Sequence, residues 1–404
     1  MSPAPVSAVR DAALNMDRID THSHLPFPQP EYGNLQSQAA PDGSFGSADA
    51  VSGSRVLAEG CRFLYGIDPG VFLRQDAPAA LFEKAAELRK DGWWEGLCKA
   101  WDRCHIVKQL CFSCLRKESR PYPDHWDDPR LGYLAYIDLG VQGDYAYPSP
   151  DFDTSHFNFY DRLRQFFGEV NTLDDYLQAL DADIDSWRSW GVVGMKTARA
   201  YTSGLLVSDP SVQEARTAFA RKRDMTEADF RVVHDYAFRH ALLACKRNGL
   251  PVVIHTGFQI WGHANLSQAN PLLLHNLLID PRYKDLTFVL LHGGNPYIGE
   301  TAYLAGMFPN VIIDFTWISW MTPPRFRLAL SEWLAIVPHT RFCWGSDSGT
   351  PETIAGTDRI TRGLIADVLE AAIRDQLIDE RYALEFIENT YLKTPRRVFG
   401  ELSR

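Results

Sequence analysis

The sequence predicts an α/β fold: a (β/α)8 TIM-type barrel with helical insertions after strands one and three. Three observations carry this. Eight short apolar runs punctuate the chain, helical patterns separate them from the fourth onward, and the Gly-rich phosphate fingerprint of an open doubly wound sheet is missing. Near-continuous apolar strands alternating with helices imply a parallel sheet covered on both sides. A length of 404 residues fits one expanded barrel over 1–404, and 45% hydrophobic residues supply a sizeable core.

Residues 1–16, rich in Ala, Pro and Ser, predict an arm or a short helix. The first strand is IDTHSH (19–24). A polar stretch from about 28 to 54 follows and reads as a long loop, and such a loop directly after a strand is commonly functional. From about 55 to 103 a helical insertion is expected, with LFEKAAELRKDGWWEGLCKAW as its clearest amphipathic run. Strands HIVKQLCF (105–112) and LGYLAYID (131–138) precede a second insertion at 140–190, which includes FYDRLRQFF and a helix near LDDYLQALDADIDSWRSW. The remaining strands are GVVGMKT (191–197), PVVIHT (251–256), LTFVLLH (286–292), NVIIDFT (310–316) and RFCWGSD (341–347). Helices are expected at 210–248, 270–279, 296–308 and 324–337, with 354–376 and 379–390 closing the chain.

Charge and cysteine content exclude several classes. With 41 basic against 51 acidic residues the net charge is -10, and no Lys/Arg run is dense enough to track a phosphate backbone, so nucleic acid is not an expected partner. No stretch approaches about 18 apolar residues, so no membrane partner is expected either. Seven cysteines, an odd number without an apolar leader, predict reduced thiols and a cytoplasmic location. Cys104, His105, Cys111 and Cys114 have half the spacing of a zinc site but no second Cys-x2-Cys, which favours buried thiols. The expected partner is a small-molecule substrate. A homo-oligomer is left open, with the 55–103 insertion serving as a lid or a subunit contact.

The chemistry collects where apolar runs end. Residues i and i+2 of a strand share a face, so His22 and His24 can converge on one metal ion. Alone, H-x-H says little, since imidazole suits several metals. Strand four, however, ends with Lys196, strand five with His255, strand six with His292 and strand eight with Asp347. Barrel enzymes build their sites at these C-terminal strand ends.

In that order the chain resembles the amidohydrolase superfamily, metal-dependent (β/α)8 enzymes with H-x-H on strand one, often Lys or Glu on strand four, His on strands five and six, and Asp on strand eight. The phrases GVVGMKTARAYTSGL, VVIHTGFQIWGHANLSQANP, VLLHGGNPYIGETAYLA and GSDSGTPET look most like the amidohydrolase-2 branch, and closest to the amidohydrolase-like half of FluG-type proteins. The resemblance implies one divalent ion, Zn²⁺ with Mn²⁺ as the alternative, held by His22, His24, His255 and Asp347. Three neutral nitrogens and one anionic oxygen suit such an ion. Asp347 would also take the proton from metal-activated water and pass it to the leaving group.

By the same resemblance His292 polarises the substrate carbonyl or holds the water in one-metal members, and binds a second metal in two-metal members. Lys196 has three readings. It is carboxylated and bridges two metals, stays an ammonium near substrate, or snorkels to solvent. Arg199 and Tyr201 follow it in a loop expected to overhang the mouth, where a guanidinium suits a carboxylate. Gln259, Trp261, His263 and Asn265 after strand five, and Trp317 after strand seven, are further candidate pocket residues. Asp20 is expected to orient a loop or a ligand, and His105 to lie on the stability face.

The function implied is a metal-dependent hydrolase that uses activated water on an amide or other C–N bond of a small carboxylate-bearing molecule. A non-oxidative decarboxylase and a uronate-type sugar-acid isomerase are the enzymatic alternatives. A binding barrel without catalysis is the remaining one.

Overall fold

A computed structural model describes residues 7–24, 51–66, 92–114, 127–138, 159–259 and 265–400, together with positions 125 and 141. Eight strands form one parallel sheet in sequential order: β1 (Arg18–Ser23), β2 (Ile106–Cys114), β3 (Leu131–Tyr136), β4 (Val192–Thr197), β5 (Val252–Ile254), β6 (Phe288–Leu290), β7 (Val311–Asp314) and β8 (Phe342–Cys343). The chain beyond β8 closes the ring. Thr21 N–H donates to Trp344 O at 3.0 Å, Asp347 N–H to His22 O at 2.8 Å, and His24 N–H to Ser348 O at 3.2 Å. This is the expected (β/α)8 barrel.

Strands five, six and eight are shorter than their apolar runs. The runs continue as polar turns: His292 has φ 65° and Asp347 φ 47°, so each leaves the ladder as it enters the mouth. The expected helix at 210–248 is two helices, α6 (Val212–Phe219) and α7 (Glu227–Arg247), because Ser211 with Glu214 and Thr226 with Asp229 each form a capping box. The preceding helices are α1 (Ala8–Asn15), α2 (Val51–Tyr65), α3 (Trp93–Cys104), α4 (Phe159–Phe167) and α5 (Leu173–Trp187). The closing ones are α8 (Ile298–Met307), α9 (Pro323–Ile336), α10 (Pro351–Arg374), α11 (Glu380–Glu388) and α12 (Thr394–Phe399). The expected helix at 270–279 is a 3-10 turn, Pro271–Leu274, running into a short α turn, His275–Leu278.

The described part of the first insertion packs on the barrel's last long helix. Gly60 of α2 and Gly356 of α10 let the two backbones touch: a Cβ on Gly60 would lie 1.8 Å from Glu352 O, and one on Gly356 1.9 Å from Val56 O. Tyr65 Oη donates to the buried Glu352 carboxylate at 2.7 Å across the same contact. Much of the amphipathic run expected at 81–101 lies outside the described residues, but its last part forms the start of α3.

The opposite end of the barrel is tied by a buried ion group in which Arg18 Nη1 meets Asp358 Oδ1 at 3.0 Å and Arg362 binds the same carboxylate. His105 caps α3 in a left-handed turn just before β2, on this stability face as expected. Cys104 and Cys111 are buried thiols, and burial pushes the Cys104 thiol up. Among the described residues they form no metal-holding group with His105, and the Cys114 side chain lies outside those residues. No described helix is long and apolar enough to cross a membrane.

Candidate metal centre

Strand β1 points Asp20, His22 and His24 to one face, and the turn after β8 brings Asp347 to them. His24 Nε2 lies 2.9 Å and His22 Nε2 3.3 Å from Asp347 Oδ1. These three residues are the group among the described residues whose ligand atoms gather within 4.8 Å of one another. A glycine permits the approach: a Cβ on Gly345 would stand 2.7 Å from His22 N and 2.9 Å from Thr316 Oγ1.

Burial lowers His22 to a pKa of about 4, with the Lys196 charge adding to the effect against the opposing pull of Asp347. Burial alone would raise Asp347, but His22 and then His24 outweigh it and hold its carboxyl well below the usual range. The group therefore offers imidazole nitrogens, that of His22 neutral, and an ionised oxygen, which is the donor set of a divalent ion such as Zn²⁺. His22 Nε2 and Asp347 Oδ1 are buried and lie against each other, with His24 Nε2 beside them, in close contacts that lack hydrogen-bond geometry. Buried polar atoms are normally satisfied, so imidazole nitrogens and a carboxylate oxygen gathered in this way fit a shared cation.

His255, also expected as a ligand, is not among these three residues. Its ring nitrogens are engaged within the protein: Nε2 lies 2.7 Å from Phe258 O and Nδ1 3.0 Å from His292 Nε2. The partners fix the tautomers. A carbonyl only accepts, so His255 Nε2 carries the proton. Burial, reinforced by Lys196, keeps the ring neutral, so Nδ1 holds a lone pair and accepts from His292 Nε2–H.

His292, neutral through burial and then through His255, consequently presents a bare Nδ1. That atom lies 3.9 Å from Asp347 Oδ2 and is buried without a hydrogen-bond partner. In this tautomer Nδ1 accepts a proton or a hydrogen bond, which suits the water-holding role of the two one-metal roles expected for His292.

Lys196 is buried to 1% exposure, so it does not snorkel. Its Nζ sits 5.5 Å from the Phe112 ring centre. Burial lowers its pKa to about 8 against the upward pull of Asp347, Asp138 and Asp314. Phe112 also packs on His24, centroids 4.9 Å apart, and on Tyr136 at 5.1 Å. Sequence reasoning passed over Phe112 and Tyr136 because they look like ordinary strand residues.

The expected substrate residues separate into distinct groups. Trp317 stacks on His292 at 4.1 Å with an interplanar angle of 22°, and Tyr201 packs on His255 at 4.5 Å. Both therefore wall the site. Arg199 does not overhang the mouth: it is 1% exposed, donates to Gly204 O at 2.6 Å and pairs with Asp235 at 2.8 Å. Asp235 also accepts from Ser208, so the arginine fastens the loop carrying Tyr201. Gln259 donates to Ala200 O, and Asn265 caps a turn through Ser267 N. Trp261 and His263 lie outside the described residues.

A prediction follows from Arg199. Replacing it with Met strands the buried Asp235 charge and should cost about 3–5 kcal/mol of stability. Urea unfolding with steady-state kinetics checks this: unchanged stability with a raised KM would return Arg199 to substrate binding.

Backbone strain collects at the same place. Six non-glycine residues among those described have positive φ, and His292, Trp317 and Asp347 are three of them. Left-handed backbone in a bulky residue such as Trp317 is costly and is retained where a side chain must be aimed.

Comparison with known proteins agrees with this architecture. A family model described as amidohydrolase matches residues 158–398. Protein fluG of Emericella nidulans is 31% identical over 209 residues, 48% of this chain, and the match spans 23% of the relative's own length. Among solved structures, a presumed metal-dependent hydrolase from Lactobacillus casei superposes with a TM-score of 0.71 at 19% identity, covering 98% of both chains. A uronate isomerase from Bacillus halodurans gives 0.68 at 15% identity, covering 97% of this chain and 95% of that one.

Proposed function

The chain belongs to the amidohydrolase family, and from that premise we propose that it is a metal-dependent hydrolase cleaving an amide or other C–N bond in a small carboxylate-bearing molecule. The observation that carries this reading is the convergence of one ligand atom each from His22, His24 and Asp347, all within 4.8 Å of one another, at the mouth of β1 and β8. His22, His24 and Asp347 Oδ1 would hold the ion, with Zn²⁺ the first choice and Mn²⁺ the alternative. A divalent ion bound there supplies Lewis-acid polarisation of a carbonyl and lowers the pKa of water.

The protein groups then divide the remaining work. Asp347 Oδ2 and the bare Nδ1 of His292 face one another at 3.9 Å, so both could accept from one water held beside them. His292 would orient that water, and as its oxygen bonds to the substrate's carbonyl carbon Asp347 would take its proton and return it to the leaving nitrogen when the C–N bond breaks. Lys196, largely an ammonium below its pKa of about 8, offers charge to a substrate carboxylate. Trp317 and Tyr201 exclude solvent from the two histidines. With His255 and His292 bonded to each other, the geometry favours one metal over two.

A panel of N-acyl and γ-glutamyl-type amides incubated with the Zn²⁺-loaded protein tests the reading. Release of amine with uptake of one water supports it. The likeness to uronate isomerases motivates a second reading, isomerisation of a sugar acid, in which mass is unchanged. Conversion of an aldose acid to a ketose acid with no amide cleaved would replace the first reading by the second.

A further inference from the structure

Two residues before His22, on the same face of β1, Asp20 is completely buried and its carboxylate accepts four hydrogen bonds. Oδ1 accepts from His22 N at 3.2 Å and Ser346 N at 2.8 Å. Oδ2 accepts from Ser346 Oγ at 2.6 Å and Gln109 Nε2 at 2.7 Å. One side chain thus ties the backbone of a ligand on β1 to the residue preceding Asp347, and both to β2. We propose that Asp20, locked by Gln109 and Ser346, is a positioning residue that sets the spacing between the β1 histidines and Asp347, and with it the affinity of the site for a divalent ion.

Two features separate this clamp from a general barrel stitch. Asp138 and Asp314 are also buried carboxylates near the mouth, but their bonds fall on Thr197, Ala198, Thr21 and Thr316, none of them a ligand. The orientation of Gln109 is itself fixed, because Trp101 Nε1–H donates to its Oε1 at 2.8 Å and leaves Nε2 to face Asp20. The clamp can therefore not be satisfied by an amide at position 20. With the introduced amide oxygen kept toward the two backbone N–H groups, its NH2 meets the NH2 of Gln109, and the flipped amide opposes the backbone donors instead.

That polarity defines a rescue. Asp20→Asn should weaken Zn²⁺ binding about 10–100-fold, the usual effect of losing a group that orients a ligand. Gln109→Glu alone places two carboxylates across the 2.7 Å contact and should weaken it as well. When Asp20→Asn and Gln109→Glu are combined, the new amide at position 20 donates to the new carboxylate at position 109. That carboxylate still accepts from Trp101, and most of the affinity should return.

The inference rests on the metal reading of His22, His24 and Asp347, and affinity is measured on the full chain by chelator competition with Zn²⁺ alone. Metal-free melting curves would accompany each measurement. Wild-type affinity in Asp20→Asn, or a double variant no tighter than Asp20→Asn, would overturn the clamp. Absence of Zn²⁺ binding by the wild type would overturn the underlying reading instead. If Asp20→Asn does not fold, Ser346→Ala serves, since it deletes the hydroxyl bond and keeps both backbone bonds. A drop of about tenfold is expected there, and unchanged affinity overturns the proposal.

Discussion

Asp347→Asn is expected to lower turnover by about 10²–10⁴-fold, the range for loss of a positioned general base, and to weaken metal retention at the same time. The two effects come from the two oxygens. Oδ1 lies within 3.3 Å of both β1 histidines and is the anionic member of the ligand set, while Oδ2 faces His292. An amide in either orientation loses one of these functions: with NH2 toward the histidines the ligand is gone, and with NH2 toward His292 the proton acceptor is gone. Burial sharpens the loss, because the His22 and Asp347 side chains that meet there are almost wholly enclosed. Kinetics at saturating Zn²⁺, with metal analysis of the same sample, separate the two parts. Full turnover in metal-replete Asp347→Asn would rule out the proton-transfer role.

His255→Leu is the second substitution expected to have a large effect, and it distinguishes a relay from a ligand. In the relay, His255 accepts from His292 Nε2–H and so keeps the bare Nδ1 of His292 toward Asp347. Without that acceptor the His292 ring is free to change tautomer, and the group holding water is lost. Turnover should fall about 10²-fold or more, while metal content stays at the wild-type level because His22, His24 and Asp347 remain. Loss of the metal together with activity, in a protein that still melts cooperatively, would restore His255 to the ligand set.

The barrel was legible because period and order agree: eight apolar runs, most of their residues buried, can be read without knowing their contacts. The metal pair was legible for a similar reason, since i, i+2 spacing and strand ends are local features. What escaped depended on distant partners. Arg199 looks like an open-loop arginine until Asp235, 36 positions later, is folded against it. Lys196 ends an apolar strand, a position that suits a snorkelling amine, but its side chain is buried with Nζ 5.5 Å from the Phe112 ring. His255 carries the residue type of a ligand, and only the carbonyl of Phe258 and the ring of His292 reveal how its nitrogens are used. The break in the 210–248 helix was the exception. Its signal, the Thr226 and Asp229 capping box that starts the second helix, lies in the sequence itself.

The central claim is that His22, His24 and Asp347 hold a divalent ion, and elemental analysis of the purified protein beside His22→Ala tests it most directly. The account predicts about one Zn²⁺ or Mn²⁺ per wild-type chain and little in the folded variant, since one of three ligands is gone. A wild-type protein that takes up no divalent ion, or a His22→Ala variant that retains the full complement, would contradict it.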